Sequence, residues 1–167
     1  AKRHLQGGGC VFYDVTSSSY EGRTCSLARR GYNRDGKKGL ASIVYGTLAD
    51  GQGRPIAVQV YPGNTADPAT FIDQVLKLRE DFGLSRIVMV GDRGMVTQAQ
   101  IDLLAQHPGV GWITTLRAPM IRRLVQQGTL QLSLFDQRNL AEIRSPEYPG
   151  ERLIACRNPI LGRKRAH

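Results

Sequence analysis

Cysteine and histidine are scarce in this chain, at three residues each in 167. Cys10, Cys25 and Cys156 are an odd number, far apart and in no CxxC arrangement, which excludes a disulfide framework and a zinc cluster. His4, His107 and His167 are equally scattered and form no HxxxH pair, so no histidine-based metal site is indicated. Long apolar runs are missing too. None approaches the ~18 residues needed to span a bilayer, and the start Ala1-Lys2-Arg3-His4-Leu5-Gln6-Gly7-Gly8-Gly9 lacks the apolar core of a signal peptide, so a soluble, cytoplasmic protein with no membrane partner is expected. Acidic residues are outnumbered: 23 Lys plus Arg against 14 Asp plus Glu give a net charge of +9, which favours a polyanion such as DNA or RNA as partner. The excess concentrates in Arg23, Arg29, Arg30, Arg34, Lys37 and Lys38, a segment whose one acid is Asp35. The same residues could equally form a solvated loop, because charge counts alone do not locate a groove.

Apolar content of 41% is enough for a proper core and one domain, with room for an appendage. The chain starts at Ala1 and its first methionine is Met89, which suits a protein trimmed of its initiator or a piece of a longer one.

The most informative stretch is Ile87-Val88-Met89-Val90-Gly91-Asp92-Arg93-Gly94. Its apolar run has the length and β-branched content of an interior strand buried on both faces. The flanking glycines let the chain turn and present Asp92 at the strand's C-terminal edge, where open α/β sheets bind ligands. Val11-Phe12-Tyr13-Asp14-Val15 repeats the pattern, an acid in a short apolar strand, followed by a polar loop Thr16-Ser17-Ser18-Ser19. A carboxylate in a buried strand needs a partner, and a divalent cation shared by Asp14 and Asp92 would supply one. Each acid also has a plainer reading: Asp14 opening an Asx or Ser/Thr turn, Asp92 capping the helix that follows.

Between and after these strands the chain alternates. Residues 20–39 read as a long polar loop. Residues 40–48 and 55–61 read as strands joined at Asp50-Gly51-Gln52-Gly53, a hairpin signal, with the Asp14 strand as third member of an antiparallel trio. Asp67-Pro68 reads as an N-cap and first helical proline, and Phe71, Ile72, Val75, Leu76 and Phe82 form one apolar stripe ended by Gly83. Thr97 with Gln100 reads as a capping box for a helix carrying Ile101, Leu103 and Leu104. Residues 110–116 read as a fifth strand, with Trp112 in the core, and 119–127 as a short helix. Beyond Gly128 the texture becomes β-like: Leu130, Leu132 and Leu134 alternate with polar residues, and Ile143 and Leu153-Ile154-Ala155 suggest short strands.

Three antiparallel strands, a helix, a strand ending in Asp, a helix and a strand make the core order of the ribonuclease H-like fold, an α/β mixed five-stranded sheet with flanking helices. With Tyr13 to Gly22, Tyr61-Pro62-Gly63-Asn64-Thr65-Ala66-Asp67 and Val90-Gly91-Asp92-Arg93-Gly94-Met95 in this order, the sequence resembles the catalytic domain of bacterial insertion-sequence transposases of the DDE type. The resemblance implies that Asp14 and Asp92 match the first two catalytic, metal-binding aspartates, holding Mg2+ or Mn2+. Two ions are expected only with the third carboxylate present. It implies DNA as partner, strand cleavage and strand transfer as reaction, and a homo-oligomer for the full-length protein. It divides the chain into an incomplete core, residues 1–128, and the start of a β-rich insertion, 129–167. Arg29, Arg30, Arg34, Lys37, Lys38 and Arg93 become candidate phosphate contacts.

One departure matters. The family's third acid is a Glu in a helix motif reading Tyr, two residues, Arg, three residues, Glu, six residues, Lys, and no such spacing occurs here; Tyr148 is followed by Glu151 three positions later without the Arg. The expectation is a chain truncated before that helix and inactive or nearly so alone. The alternatives are a non-catalytic module binding DNA or transposase, and a complete nuclease whose third acid is Glu142, Glu147 or Glu151.

Overall fold

The computed structural model describes residues 9–159 apart from Lys38 and Arg93. Strands β1 (Gly9–Tyr20), β2 (Ala41–Asp50) and β3 (Pro55–Pro62) are followed by helix α1 (Asp67–Glu80), β4 (Ile87–Val90), α2 (Gln98–Leu104) and β5 (Val110–Ile113). They form a five-stranded sheet in the order β3-β2-β1-β4-β5. β1 pairs with β2 and β2 with β3 antiparallel, whereas β1 with β4 and β4 with β5 are parallel. This is the mixed α/β architecture expected.

The hairpin forms where Asp50 organises its own turn. The Asp50 carboxylate accepts the backbone N–H groups of Gln52 (2.9 Å) and Arg54 (3.0 Å) and the Arg54 Nε (2.7 Å), while Gly53 takes φ +78°, open to a residue without Cβ. Helix α1 turns Thr70, Phe71, Gln74, Val75 and Leu78 inward, and its end is closed by Gly83 at φ +68°, with the Leu84 N–H returning to the Leu78 carbonyl. These side chains meet Val11, Tyr13 and Val15 of β1, Val44 and Leu48 of β2, Ile87 and Met89 of β4, and Leu104 of α2 in one core.

That core lies on one face of the sheet. On the other, side chains at the alternate positions stay open to solvent: Phe12 (43% exposed), Val58 (57%), Val60 (46%), Val88 (37%) and Ile113 (55%). The expectation that β4 is buried on both faces is therefore corrected. It is an interior strand, between β1 and β5, with one face covered.

Four further expectations change. Thr16 to Ser19 are strand, not loop, because β1 continues to Tyr20 in register with β2, Ser17 opposite Val44 and Ser18 opposite Ile43. Asp67 is the first helical residue, with Ala66 as N-cap and no side-chain cap; its carboxylate is drawn instead to Arg34. Thr97 is the N-cap of α2, but its hydroxyl bonds the Gln100 side chain and caps no backbone N–H. The fifth strand ends at Ile113.

By compactness the chain divides between Thr115 and Leu116. The second unit holds α3 (Ala118–Gln126), a 3-10 turn (Leu132–Phe135) and the antiparallel hairpin β6 (Leu140–Ile143) and β7 (Leu153–Cys156), and buries Leu124, Phe135, Ala141 and Ile143. Of the alternating leucines, Leu132 and Leu134 thus lie in a 3-10 turn, not a strand, with Leu132 80% exposed.

Candidate active site

β1 and β4 are parallel neighbours, and their last paired residues are Phe12 and Val90. Asp14 lies two positions beyond Phe12, and Asp92 two beyond Val90. Adjacent strands run about 4.8 Å apart, and both acids lie two positions past the last β1–β4 pair, toward the C-terminal end of β4. Both are exposed.

Asp14 is opposite Thr47 of β2 and shares the uncovered face with Phe12. Its Oδ1 accepts the N–H of Val15 at 2.9 Å. Since β1 continues to Tyr20, Asp14 opens no turn. Its exposure also removes the desolvation argument that a strand carboxylate here must be buried against a partner.

Asp92 is set by its own loop. Its Oδ1 accepts the N–H groups of Gly94 (2.8 Å) and Met95 (2.9 Å), and its carbonyl those of Met95 and Val96. These bonds make Asp92 a turn-former over residues 92–96. It does not cap α2, which starts at Gln98 behind Thr97. A carboxylate has two oxygens with about four acceptor positions, so the amides fix its orientation and leave capacity for a cation. Gly94 is packed on it: a Cβ there would sit 3.2 Å from Asp92 Oδ1.

The basic segment is fastened to this end of the sheet. Arg29 bridges Ser42 through both backbone groups, the Gly63 N–H reaches the Leu27 carbonyl, and Asp35 accepts the N–H and hydroxyl of Ser19. Arg29 is exposed, with one guanidinium N–H on the Ala28 carbonyl, and Arg30 is exposed. Lys37 lies 3.7 Å from Glu21, both in solvent. Arg34 is directed inward, its guanidinium bonded to Asp67 and 5.7 Å from the centre of the Tyr32 ring. Lys38 and Arg93 lie outside the described residues. The Arg34–Asp67 pair was not legible in the sequence, where 33 positions separate its members and Asp67-Pro68 reads as a local cap.

The three other candidate acids are in the second unit. Glu142 is paired with Arg152 (2.9 Å) across the β6–β7 hairpin, and that guanidinium holds its carboxyl below the usual range. Glu147 bonds Arg123 and Gln127, each at 2.7 Å. Burial pushes the Glu151 carboxyl up.

The model of the transposase DDE domain family matches residues 6–147, most of the chain. The chain belongs to that family. Neither a curated protein nor a solved structure matches it. Transposase DDE domains act on DNA and generally use divalent metal ions, and the mixed sheet with its flanking helices agrees with the ribonuclease H-like fold. Among the described residues no helix is long and apolar enough to cross a membrane.

The donor chemistry fits such an ion in part. Asp14 and Asp92 offer oxygen ligands only, the set that hard cations such as Mg2+ and Mn2+ prefer. Among the described residues no group of three or more acids, histidines or cysteines stands close enough to hold one.

Proposed function

We propose that this chain is a fragment of a DNA transposase catalytic domain in which Asp14 and Asp92 are the first two metal-binding carboxylates, and that by itself it cleaves DNA weakly or not at all. The observation that supports this is the parallel β1–β4 pairing: Asp14, within β1, and Asp92, just past β4, are 78 positions apart in sequence (92 − 14), yet each lies two residues beyond the last pair of that ladder.

Held by Asp14 and Asp92 together with a third carboxylate, a pair of Mg2+ or Mn2+ ions would activate the attacking water or 3′-hydroxyl and offset charge on the leaving oxygen. The chain's own contribution is positional. Asp14 is held by a strand hydrogen-bonded to β2 along most of its length, and Asp92 by the amides of Gly94 and Met95. The exposure of both leaves a phosphodiester free to approach, and Arg29, Arg30 and Lys37 carry positive charge that attracts it. Asp14 stands on the uncovered face of the sheet, so a third carboxylate that reaches it comes from an element laid over that face. Such an element would also cover Phe12 and Val88, as a sheet with parallel strands ordinarily requires. In the full-length protein the domain cleaves strands, transfers them to target DNA and works as a homo-oligomer.

A second reading, a module that binds DNA without cutting it, is favoured by the +9 charge and by the lack, among the described residues, of a cluster of three metal-ligating side chains. A third reading is a nuclease completed by Glu142, Glu147 or Glu151; for the first two it is disfavoured, because both carboxylates are already held by arginines. Calorimetric titration with Mn2+, together with nicking of supercoiled DNA, separates these. The proposal expects weak Mn2+ binding lost in Asp14→Asn and in Asp92→Asn, with little nicking by wild type. Robust Mg2+-dependent nicking abolished by Glu142→Gln, Glu147→Gln or Glu151→Gln would establish the complete nuclease instead.

A further inference from the structure

Next to Asp92 is an open pocket of about 230 Å³, lined by Tyr32, Arg34, Thr65, Ala66, Asp67, Pro68 and Gly94. Gly94 ties it to the site, since the same residue's N–H holds the Asp92 carboxylate. The volume is below the ~300–1,000 Å³ of pockets for drug-sized ligands, room for one small planar group.

The walls define what kind of group. Tyr32 is 79% exposed, an aromatic face turned to solvent with no packing duty in the core. Arg34 lies 5.7 Å from that ring and is locked by Asp67, its side chain about one-fifth exposed. A phosphate is poorly served here, because the charge of Arg34 is already offset by Asp67 and that carboxylate would repel an anion. A nucleobase is well served: it is flat, uncharged, stacks on tyrosine and on guanidinium planes, and carries donors and acceptors on its edge. Arg34 and Thr65 can donate to such an edge, and Asp67 and Thr65 can accept from it.

We propose that this pocket receives one unpaired base of the DNA strand beside the bond presented to Asp14 and Asp92, stacked on Tyr32 and read at its edge by Arg34, Thr65 and Asp67. The inference rests on the DNA-binding function proposed above. The phosphates on either side of that base fall to Arg29, Arg30 and Lys37, so base and backbone are held by different residues of one segment.

The test is fluorescence-anisotropy binding of a single-stranded oligonucleotide to wild type, Tyr32→Ala, Tyr32→Phe, and a Lys37→Ala/Arg30→Ala double variant, across a salt series without metal. Tyr32→Ala is expected to weaken binding by about tenfold with the salt slope unchanged, Tyr32→Phe to bind like wild type, and the double variant to flatten the slope. All proteins should melt at the same temperature, since the altered side chains are exposed. Equal affinity of Tyr32→Ala and wild type would overturn the base pocket while leaving DNA binding intact. A wild type that fails to bind the oligonucleotide would overturn the DNA-binding reading, and this proposal with it. A Tyr32→Ala loss accompanied by a flattened salt slope would also overturn it, because the pocket would then be an anion site.

Discussion

Replacing Gly63 with alanine should loosen the basic segment from the sheet without touching either acid. An added Cβ at Gly63 falls 1.8 Å from the Ser42 carbonyl oxygen and 2.5 Å from that of Arg29. Carbon contacts are comfortable at roughly 3.5–4.0 Å, and both obstacles are backbone, so rotating a side chain gives no relief. Something on the order of 1.5 Å must give. The bonds at stake are Arg29 N–H to Ser42 O (3.1 Å), Ser42 N–H to Arg29 O (2.8 Å) and Gly63 N–H to Leu27 O (3.0 Å). At about 0.5–1.5 kcal/mol each, losing all three costs about 1.5–4.5 kcal/mol, a large part of the ~5–15 kcal/mol stability typical of a domain. Urea unfolding measures the total, and the rate of tryptic cleavage at Arg29, Arg30 and Arg34 under native conditions reports the segment itself. Gly111→Ala is the control, because its nearest neighbour, Val88 Cγ2, would lie at 3.9 Å, an ordinary contact. A Gly63→Ala protein as stable and as protease-resistant as wild type would refute the idea that this glycine fastens the segment.

Asp14→Asn and Asp92→Asn should each abolish Mn2+ binding by calorimetry and leave the thermal midpoint nearly unchanged, since both side chains are exposed; retained binding in either variant removes that acid from the site. Hydrogen bonds from the Arg54 side chain and N–H hold the Asp50 carboxyl below the usual range. A depressed folded-state value gives stability that is present above the unfolded value of about 3.9 and lost as pH falls through the folded one. Asp50→Asn should therefore flatten the acid limb of a plot of urea midpoint against pH below about 4, and an unchanged limb contradicts the assignment. Met89→Ala, on the covered face, should cost about 2–5 kcal/mol, whereas Val58→Thr on the open face should cost about 0.5 kcal/mol or less; urea curves giving equal losses would mean the two faces are wrongly assigned.

Where local chemistry decides the outcome, the sequence was a reliable guide. Asp50 and Gly51 announce the β2–β3 turn, and the spacing of Phe71 and Val75 announces α1 and its buried side. Where partners come from far along the chain, it was not. Serines have little preference for strands, yet Ser17, Ser18 and Ser19 are strand because Val44, Ile43 and Ser42 pair with them. Asp67 has the neighbours of a cap but is captured by Arg34. The apolar run at Ile87 announced an interior strand but gave no sign that Val88 faces open solvent, because periodicity cannot tell a covered face from a bare one. For the site, each acid was visible alone as a carboxylate at an apolar strand; the pairing of β4 with β1, which sets the register of the two acids, is encoded by no local signal.

The two acids belong to halves of the sheet with unequal resistance to opening. Asp14 rides on a twelve-residue strand zipped to a ten-residue partner, whereas Asp92 hangs from a four-residue strand whose outer neighbour is equally short. Amide exchange should accordingly be slowest in β1 and β2 and faster around β4 and β5. A cation held jointly by Asp14 and Asp92 would stitch the lighter half to the heavier one, so its arrival should be felt as added protection in β4 and β5 far more than in the hairpin.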